Sequence, residues 1–283
     1  MIQVPDARRS RSPNSPKLLD RVRATLRVRH YASRTEYAYV GWIRRYIHYH
    51  GIRHPAELGA AEVVEFLSDL AVRGRVSAST QNQALAALLF LYRDVLGLEL
   101  EGLDNAVRAR APHTLPVVLS RTEVLAVLAE LEEPHALVGR LLYGAGLRVL
   151  ECLRLRVKDV DFERHQITVR PGKGNRDRAT LLPRSAEAAL TEQLTSARLH
   201  FEDDRTAGRP GVWLPTSLAQ KYPAAPTEWP WQWIFPAARP SRDPRTGLVR
   251  RHHLTESGPQ RAIRAAAIRA GLRKRVSPHT FRH

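Results

Sequence analysis

Residues 160–182, VDFERHQITVRPGKGNRDRATLL, decide the predicted fold class, because they interrupt a chain that is otherwise patterned for helices. Three short runs in this stretch are rich in residues that favour strands, and turn-forming residues separate them. The pattern predicts strands at 160–162, 166–170 and 178–182, paired as an antiparallel meander. The chain is therefore expected to be mainly α with one small antiparallel β-sheet, that is, of the α+β class.

Four helices are predicted before residue 101 from the helical spacing of their apolar residues. They span residues 17–29, 33–50, 60–72 and 79–96. Ser33-Arg34-Thr35-Glu36 has the pattern of a capping box at the start of the second helix, and Ser120-Arg121-Thr122-Glu123 has the same pattern later in the chain. The four helices predict a small helical domain over residues 17–101.

The rest of the chain is divided by changes in composition. Residues 1–16 are predicted to be a basic tail, and residues 102–116, with two prolines and no sustained apolar period, a linker. A second domain is expected at 117–283, in which Ser277-Pro278 predicts the start of a last helix. Within it, about 203–255 is rich in proline and tryptophan and is interpreted as an ordered functional insertion.

The composition favours a nucleic-acid partner. In 283 residues, 45 Lys and Arg against 28 Asp and Glu give a net charge of +17, which attracts nucleic acid more than lipid. The single cysteine, Cys152, excludes an intrachain disulfide framework and suits a reducing cytoplasm. No apolar run approaches the roughly 18–20 residues that span a bilayer, so we expect a cytoplasmic protein with no membrane role. The pairs His48-x-His50 and His252-His253 lack acidic or cysteine partners at suitable spacing, so no metal site is expected.

Three places in the second domain carry residues suited to bind a phosphate. Arg148 follows a glycine turn at residues 144–147, and Lys173 lies at the tip of the turn between the last two predicted strands. His279 and Arg282 are three residues apart and are expected to share one face near the start of the last helix. Taken one at a time, each is also consistent with a solvated surface residue, so only their combination argues for a site.

Taken together, four motifs in their order resemble the tyrosine recombinase family. They are G-x-G-L-R-x-x-E at 144–151, L-x-x-x-V-x-D-V-D at 153–161, G-K-G at 172–174, and H-x-x-R-H at 279–283. The resemblance implies a helical core-binding domain followed by the family's catalytic domain. It also implies that Arg148 and Arg282 clamp the scissile phosphate. His279 is then expected to add a hydrogen bond or a proton transfer, and Lys173 to protonate the departing 5′ oxygen; no metal or other cofactor is expected.

Within that family, the insertion is similar to the one that distinguishes integron integrases. The similar segments are Lys221-Tyr222-Pro223, residues 228–236, Asp243-Pro244 and residues 250–253. This resemblance implies two kinds of DNA partner, double-stranded attachment sites and folded single-stranded cassette sites, whose bases stack on aromatic and histidine side chains. The DNA-binding candidates are Arg34, Lys173, Trp229, Trp231, Arg250, Arg251, His252 and His253. For individual tryptophans, anchoring the packing of the insertion is an equally open interpretation.

The sequence departs from the family pattern after Arg282. The family attacks DNA with a tyrosine well beyond H-x-x-R, preceded by a second His or Trp, and all eight tyrosines here, from Tyr31 to Tyr222, precede that motif. The C-terminal helix through which family members self-associate on DNA is also missing. We therefore expect a C-terminally truncated integrase whose full-length form recombines and self-associates on DNA. The alternative is a noncatalytic product that occupies recombination sites.

Overall fold

The computed structural model describes residues 17–100, 109, 115–170, 177–244 and 246–282. The chain forms two compact units, Met1–Thr114 and Leu115–His283, and the division falls inside the stretch predicted as a linker. The predicted basic tail, most of the linker, Lys173 and His283 lie outside the described residues. In the described part of the chain, no helix is both long enough and apolar enough to cross a bilayer.

The first unit is helical. Its helices are α1 (Leu18–Val28), α2 (Ser33–Tyr49), α3 (Ala60–Val72) and α4 (Ala78–Phe90), and α4 continues into a π-helical turn at Leu91–Leu96. A short 3-10 helix, Pro55–Glu57, lies between α2 and α3. Gly97, with a φ of +68°, ends the π-helical turn in the left-handed region that favours glycine. The four predicted helices are confirmed.

Buried tyrosines join the elements of the first unit. The hydroxyl oxygens of Tyr46 and Tyr92 lie 2.9 Å apart, and the Tyr92 hydroxyl also lies 2.9 Å from the Pro55 carbonyl oxygen and 3.2 Å from that of Leu58. Both side chains are buried. Because a buried hydroxyl without a partner costs free energy, this network stabilises the packing of α2, the π-helical turn and the chain before α3 against one another.

The predicted capping box at Ser33 is wrong. Helix α2 begins at Ser33 itself, after Ala32, whose side chain offers no cap. The Glu36 carboxylate instead accepts two hydrogen bonds from Arg27, from Nε at 3.0 Å and from Nη2 at 2.8 Å. This bidentate ion pair ties α1 to α2.

The second unit combines helices with small sheets. Its helices are α5 (Arg121–Ala129), α6 (His135–Ala145), α7 (Val149–Leu153), α8 (Arg184–Thr206), α9 (Thr216–Lys221) and α10 (Ser257–Arg269). At the start of α5, the predicted capping box is confirmed. The Glu123 N–H donates to Ser120 Oγ at 3.2 Å, and the Ser120 N–H donates to Glu123 Oε2 at 2.8 Å.

The predicted meander is present. Strands β1 (Val160–Asp161), β2 (Gln166–Val169) and β3 (Arg178–Leu181) pair antiparallel in the order β1-β2-β3. Ile167 and Val169 on β2 are buried and alternate with more exposed residues, as expected for a sheet with one face on the core. A second sheet, β4 (Ser241–Arg242) with β5 (Val249–Arg250), lies in the insertion and was not predicted. The α+β fold class is confirmed.

Helix α6 is the central helix of the second unit. Helices α5, α7, α8 and α10 all pack against it, as does the last turn of the described chain. Leu137 and Leu141 on α6 are fully buried, and Phe281 from the last turn belongs to the same hydrophobic core. Residues that flank α6, or that pack on it, are therefore held by the best-packed part of the unit.

The predicted helix after Ser277 is instead a single 3-10 turn, Thr280–Arg282. The Thr280 N–H donates to the Ser277 carbonyl at 2.9 Å, and the Arg282 N–H donates to the His279 carbonyl at 3.1 Å. These are bonds between residues three apart, whereas an α-helix bonds residues four apart.

Candidate functional site

Arg148 follows a turn that is fixed from two sides. Helix α6 ends at Ala145, and Gly146 then takes a φ of +62°, a left-handed conformation that favours glycine. On the other side, Thr180 on β3 donates from Oγ1 to the Ala145 carbonyl at 2.9 Å. The backbone that leads into Arg148 therefore has a defined path.

Glu151 anchors Arg148. The Arg148 backbone N–H donates to Glu151 Oε2 at 2.8 Å, and Arg148 Nη1 donates to Oε1 at 2.7 Å. Arg178, the first residue of β3, donates to both oxygens of the same carboxylate, at 2.9 and 2.7 Å. Burial opposes ionisation of this carboxyl, but the hydrogen bonds from Arg178 and Arg148 outweigh it and lower the pKa of Glu151 to about 2. Glu151 is therefore ionised at neutral pH.

Arg148 presents most of its side chain to solvent although its partner is buried. The Glu151 side chain is 8% exposed, whereas that of Arg148 is 61% exposed. A guanidinium has five N–H donors, and here one side-chain nitrogen contacts the carboxylate. The remaining donors suit the oxygens of a phosphate.

His279 and Arg282 lie on the exposed side of the last turn. Both side chains are exposed, while Thr280 and Phe281 between them are buried. The backbone of the two residues is joined directly, because the Arg282 N–H donates to the His279 carbonyl at 3.1 Å. Phe281 packs in the core around α6 and thereby anchors this turn.

The structure thus attaches three of the four predicted catalytic residues to α6. Arg148 follows the C-terminal end of this helix, and the turn that carries His279 and Arg282 packs against it. Lys173 lies outside the described residues. Arg34, the DNA contact predicted in the first unit, is exposed in the first turn of α2.

Two tryptophans predicted to contact DNA are half-buried in the insertion. The ring of Trp229 lies against Phe201, with 5.6 Å between the ring centroids. The ring of Trp231 lies against Tyr222 at 5.8 Å, and Lys158 places its Nζ over the same ring. Both tryptophans therefore serve the packing of the insertion and still keep part of their rings at the surface.

Arg156 holds the two tryptophan-bearing segments of the insertion together. Its guanidinium lies 3.8 Å from the ring centroid of Trp233, and it donates to the carbonyl oxygens of Trp213, at 3.0 Å, and of Trp231. Burial lowers the pKa of Arg156 to about 10 and that of the neighbouring Lys158 to about 8. A buried cation satisfied by carbonyls and an aromatic face fixes the backbone around it.

The surroundings of Arg251 favour a structural role over the predicted contact with DNA. Arg251 is 8% exposed, and its guanidinium pairs with both oxygens of Asp204 on α8, at 2.7 and 2.8 Å. It also donates to the carbonyl oxygens of Ala237 and Ala238. Arg251 therefore joins the insertion to α8, and its donors are occupied within the protein.

The neighbours of Arg251 are less enclosed. Arg250 donates to a backbone carbonyl at 3.2 Å, and both Arg250 and His252 are half-buried. His253 has Nδ1 2.7 Å from the Leu254 carbonyl oxygen and its ring edge-on to Trp233. Burial lowers the pKa of His253, so this imidazole is neutral at neutral pH.

Arg178 is a site residue to which sequence reasoning gave no role. The signal was present in β3, because residues two apart in a strand point to the same face. Thr180, two residues on, reaches the turn before Arg148. Arg178 on the same face reaches Glu151 beside that turn.

Comparison with known proteins places the chain in a family. The profile described as "Phage integrase, N-terminal SAM-like domain" matches residues 18–102, and that described as "Phage integrase family" matches residues 118–283. Two proteins named "Integrase/recombinase", from Escherichia coli and Pseudomonas aeruginosa, are each 50% identical over 269 residues, which covers 95% of this chain and 80% of the relative. A "Tyrosine recombinase XerA" from Thermococcus kodakarensis is 35% identical over 153 residues, covering 52% of this chain and 50% of that protein. The chain belongs to the phage integrase family.

Solved structures agree on the fold. The Tn1549 transposon integrase in complex with transposon right end DNA has a TM-score of 0.61 at 14% identity, over 95% of this chain and 84% of that one. The XerH site-specific recombinase bound to difH substrate has a TM-score of 0.58 at 18% identity, over 95% of this chain and 73% of that one. The predicted architecture, a helical domain followed by a tyrosine-recombinase catalytic domain, is confirmed as a fold.

Proposed function

We propose that the chain is an integron integrase, a tyrosine recombinase that cuts and rejoins DNA at specific sites through a covalent phosphotyrosine. The observation that carries this proposal is the exposed guanidinium of Arg148, held by the buried Glu151 at the position of the family motif. The turn with His279 and Arg282, anchored on the same helix, supplies the second guanidinium. The net charge of +17 adds attraction to the DNA backbone.

In this proposal, the two arginines act on the scissile phosphate. Arg148 and Arg282 bind its non-bridging oxygens and neutralise the charge that builds up in the pentavalent transition state. A tyrosine oxygen attacks phosphorus, the bond from phosphorus to the 5′ oxygen breaks, and Lys173 gives that oxygen its proton. His279 donates a hydrogen bond to the same phosphate. The 5′ hydroxyl of another strand then attacks the phosphotyrosine and restores a phosphodiester.

The tyrosine in that step is proposed to follow Arg282 in a longer form of the protein. In this sequence the last tyrosine is Tyr222. In the two relatives at 50% identity, the matched region covers 80% of their length. The longer form is also the one proposed to self-associate on DNA. The second candidate function is a noncatalytic protein that binds recombination sites.

The nucleotide sequence after the His283 codon separates the two candidates. An open frame that reaches a tyrosine supports the active recombinase, and a stop codon at that point supports the noncatalytic protein. In the extended protein, Arg148→Ala is expected to abolish cleavage of a duplex site, with DNA affinity reduced by less than about tenfold. Arg164→Ala, at a side chain that is 80% exposed, is the matched control and should cleave normally. Undiminished cleavage by Arg148→Ala would refute the role given to Arg148.

The insertion is proposed to recognise folded single-stranded cassette sites in addition to double-stranded attachment sites. The half-buried rings of Trp229 and Trp231 support this, because a ring that is packed on one side and open on another is a rigid platform for a base. Arg250, His252 and His253 lie in the same insertion. A cytoplasmic location, where such DNA is available, is part of the same proposal.

A hairpin with displaced bases tests this part of the proposal. Trp231→Ala is expected to weaken binding of that hairpin by about 5- to 150-fold, since stacking of one base on an aromatic ring contributes about 1–3 kcal/mol. Binding of a hairpin without displaced bases, and of a duplex site, should stay within about twofold. Leu199→Ala, an exposed apolar residue on α8, is the control variant. Equal weakening for all three DNAs would show that Trp231 serves folding rather than base recognition.

A further inference from the structure

Two arginines share Glu151 unequally. Arg178 donates from Nη1 to Oε1 at 2.9 Å and from Nη2 to Oε2 at 2.7 Å, so its planar end faces both oxygens. Arg148 makes one side-chain hydrogen bond to this carboxylate, at 2.7 Å, together with its backbone bond. Arg178 is therefore the main counter-ion of Glu151, although Arg148 is closer to it in sequence.

We propose that Arg178 is a positioning residue, which occupies the carboxylate of Glu151 and thereby keeps the guanidinium of Arg148 available for a phosphate oxygen. The inference rests on the proposed function of Arg148 as a phosphate ligand. It explains why the buried carboxylate of Glu151 does not occupy the whole guanidinium of Arg148 beside it.

The burial of Glu151 sets the direction of the effect. A carboxylate that is 8% exposed requires a counter-ion, because an unpaired buried charge is strongly unfavourable. Without Arg178, Arg148 becomes the main partner, and the favoured geometry for an arginine with a carboxylate is bidentate. In that geometry, N–H donors of Arg148 that now face solvent are directed toward Glu151.

The surroundings of Arg178 direct it to Glu151. Arg178 is the first residue of β3, and Thr180 on the same face ties this strand to the α6 end through Ala145. The neighbouring acid, Asp177, lies 3.6 Å from Arg170, which also donates to Asp159 at 2.6 Å. Arg170, rather than Arg178, is thus the arginine that pairs with Asp177 and Asp159.

Chemical modification of Arg148 tests the inference in the protein without DNA. Phenylglyoxal attacks the unprotonated guanidine, and a closely paired carboxylate stabilises the protonated form. The rate of modification of Arg148, measured by mass spectrometry of its peptide, therefore reports how tightly Glu151 holds it. In Arg178→Gln we expect this rate to fall by roughly 3- to 30-fold, the range expected for coupling between charges in direct contact.

Four further variants separate positioning from a general structural effect. In Glu151→Gln the rate at Arg148 should not fall, and adding Arg178→Gln to it should change the rate by less than about twofold. Arg178→Lys, which keeps the charge but has no planar end, should lie between the wild type and Arg178→Gln. Arg164→Gln is the matched control, because Arg164 is 80% exposed and pairs with Asp161 at 3.9 Å.

The outcomes are decisive in both directions. An unchanged Arg148 rate in Arg178→Gln, or an equal fall when Glu151 is already Gln, overturns the inference, provided that circular dichroism shows a folded protein. If a Glu151 variant fails to fold, the order wild type, Arg178→Lys, Arg178→Gln still decides. Sheared duplex DNA is then added at low salt, and protection of Arg148 from phenylglyoxal is measured in the wild type. If the DNA does not protect Arg148 while the variants without DNA behave as expected, the proposed function is wrong and the inference about Glu151 stands.

Discussion

Acid should weaken the second unit through Glu151. The pKa of this carboxyl is lowered from 4.5 to about 2, against the effect of burial, by hydrogen bonds from Arg178 and Arg148. A tenfold change in an ionisation constant corresponds to about 1.4 kcal/mol, so the full lowering corresponds to about 3 kcal/mol. Both arginines are partly exposed, at 40% and 61%, and solvent screening reduces the expected contribution to about 1–2 kcal/mol.

The sign follows from the direction of the shift. The folded state holds Glu151 ionised more strongly than the unfolded state does, so the stabilisation is complete above about pH 5 and is lost as the pH falls toward 2. Urea unfolding followed by tryptophan fluorescence measures it, because four of the five tryptophans lie in the second unit. The free energy of unfolding of the wild type minus that of Glu151→Gln should shrink across this range. A difference that stays constant from pH 6 to pH 3 would show that folding does not favour the ionised form of Glu151.

Two further changes test the packing on which the site depends. Arg251→Ala should lower the free energy of unfolding of the second unit, measured in urea, by about 2–3 kcal/mol, because Asp204 loses a buried bidentate partner. The DNA affinity of the folded variant should change by less than about threefold. A stable Arg251→Ala protein with strongly weakened DNA binding would instead support the contact predicted from sequence. Tyr92→Phe should lower the free energy of unfolding of the first unit by about 1–2 kcal/mol, because the buried Tyr46 hydroxyl loses its Tyr92 partner. Thermal unfolding followed by circular dichroism measures this change. An unchanged melting temperature would contradict it.

Local patterns were sufficient for most of the elements. The strand-favouring residues at 166–170 predicted β2, whose Ile167 and Val169 are buried, and apolar spacing predicted the four helices of the first unit. The two capping boxes show where local patterns fail. At Ser120 the serine and glutamate bond each other as predicted, whereas at Ser33 the glutamate is taken by Arg27 from another helix. A distant partner of opposite charge is not visible in a four-residue pattern.

The site was predicted only in part, because some of its ion pairs also join residues that are distant in sequence. Family motifs pointed to Arg148, His279 and Arg282, and the structure places all three on or next to α6. The pair of Arg178 with Glu151 and that of Arg251 with Asp204 join residues far apart in the chain, and folding alone brings them together. The resemblance of residues 250–253 to the integron-integrase insertion implied DNA contact for Arg251, whose guanidinium instead bonds Asp204 and two backbone carbonyls.

A structure of the chain bound to a duplex recombination site would show whether the two arginines act on one phosphate. We expect the guanidinium groups of Arg148 and Arg282 both to lie within hydrogen-bond distance, about 2.7–3.2 Å, of oxygens on the same phosphate. Guanidinium groups that bind different phosphates, or that face away from the DNA, would contradict it.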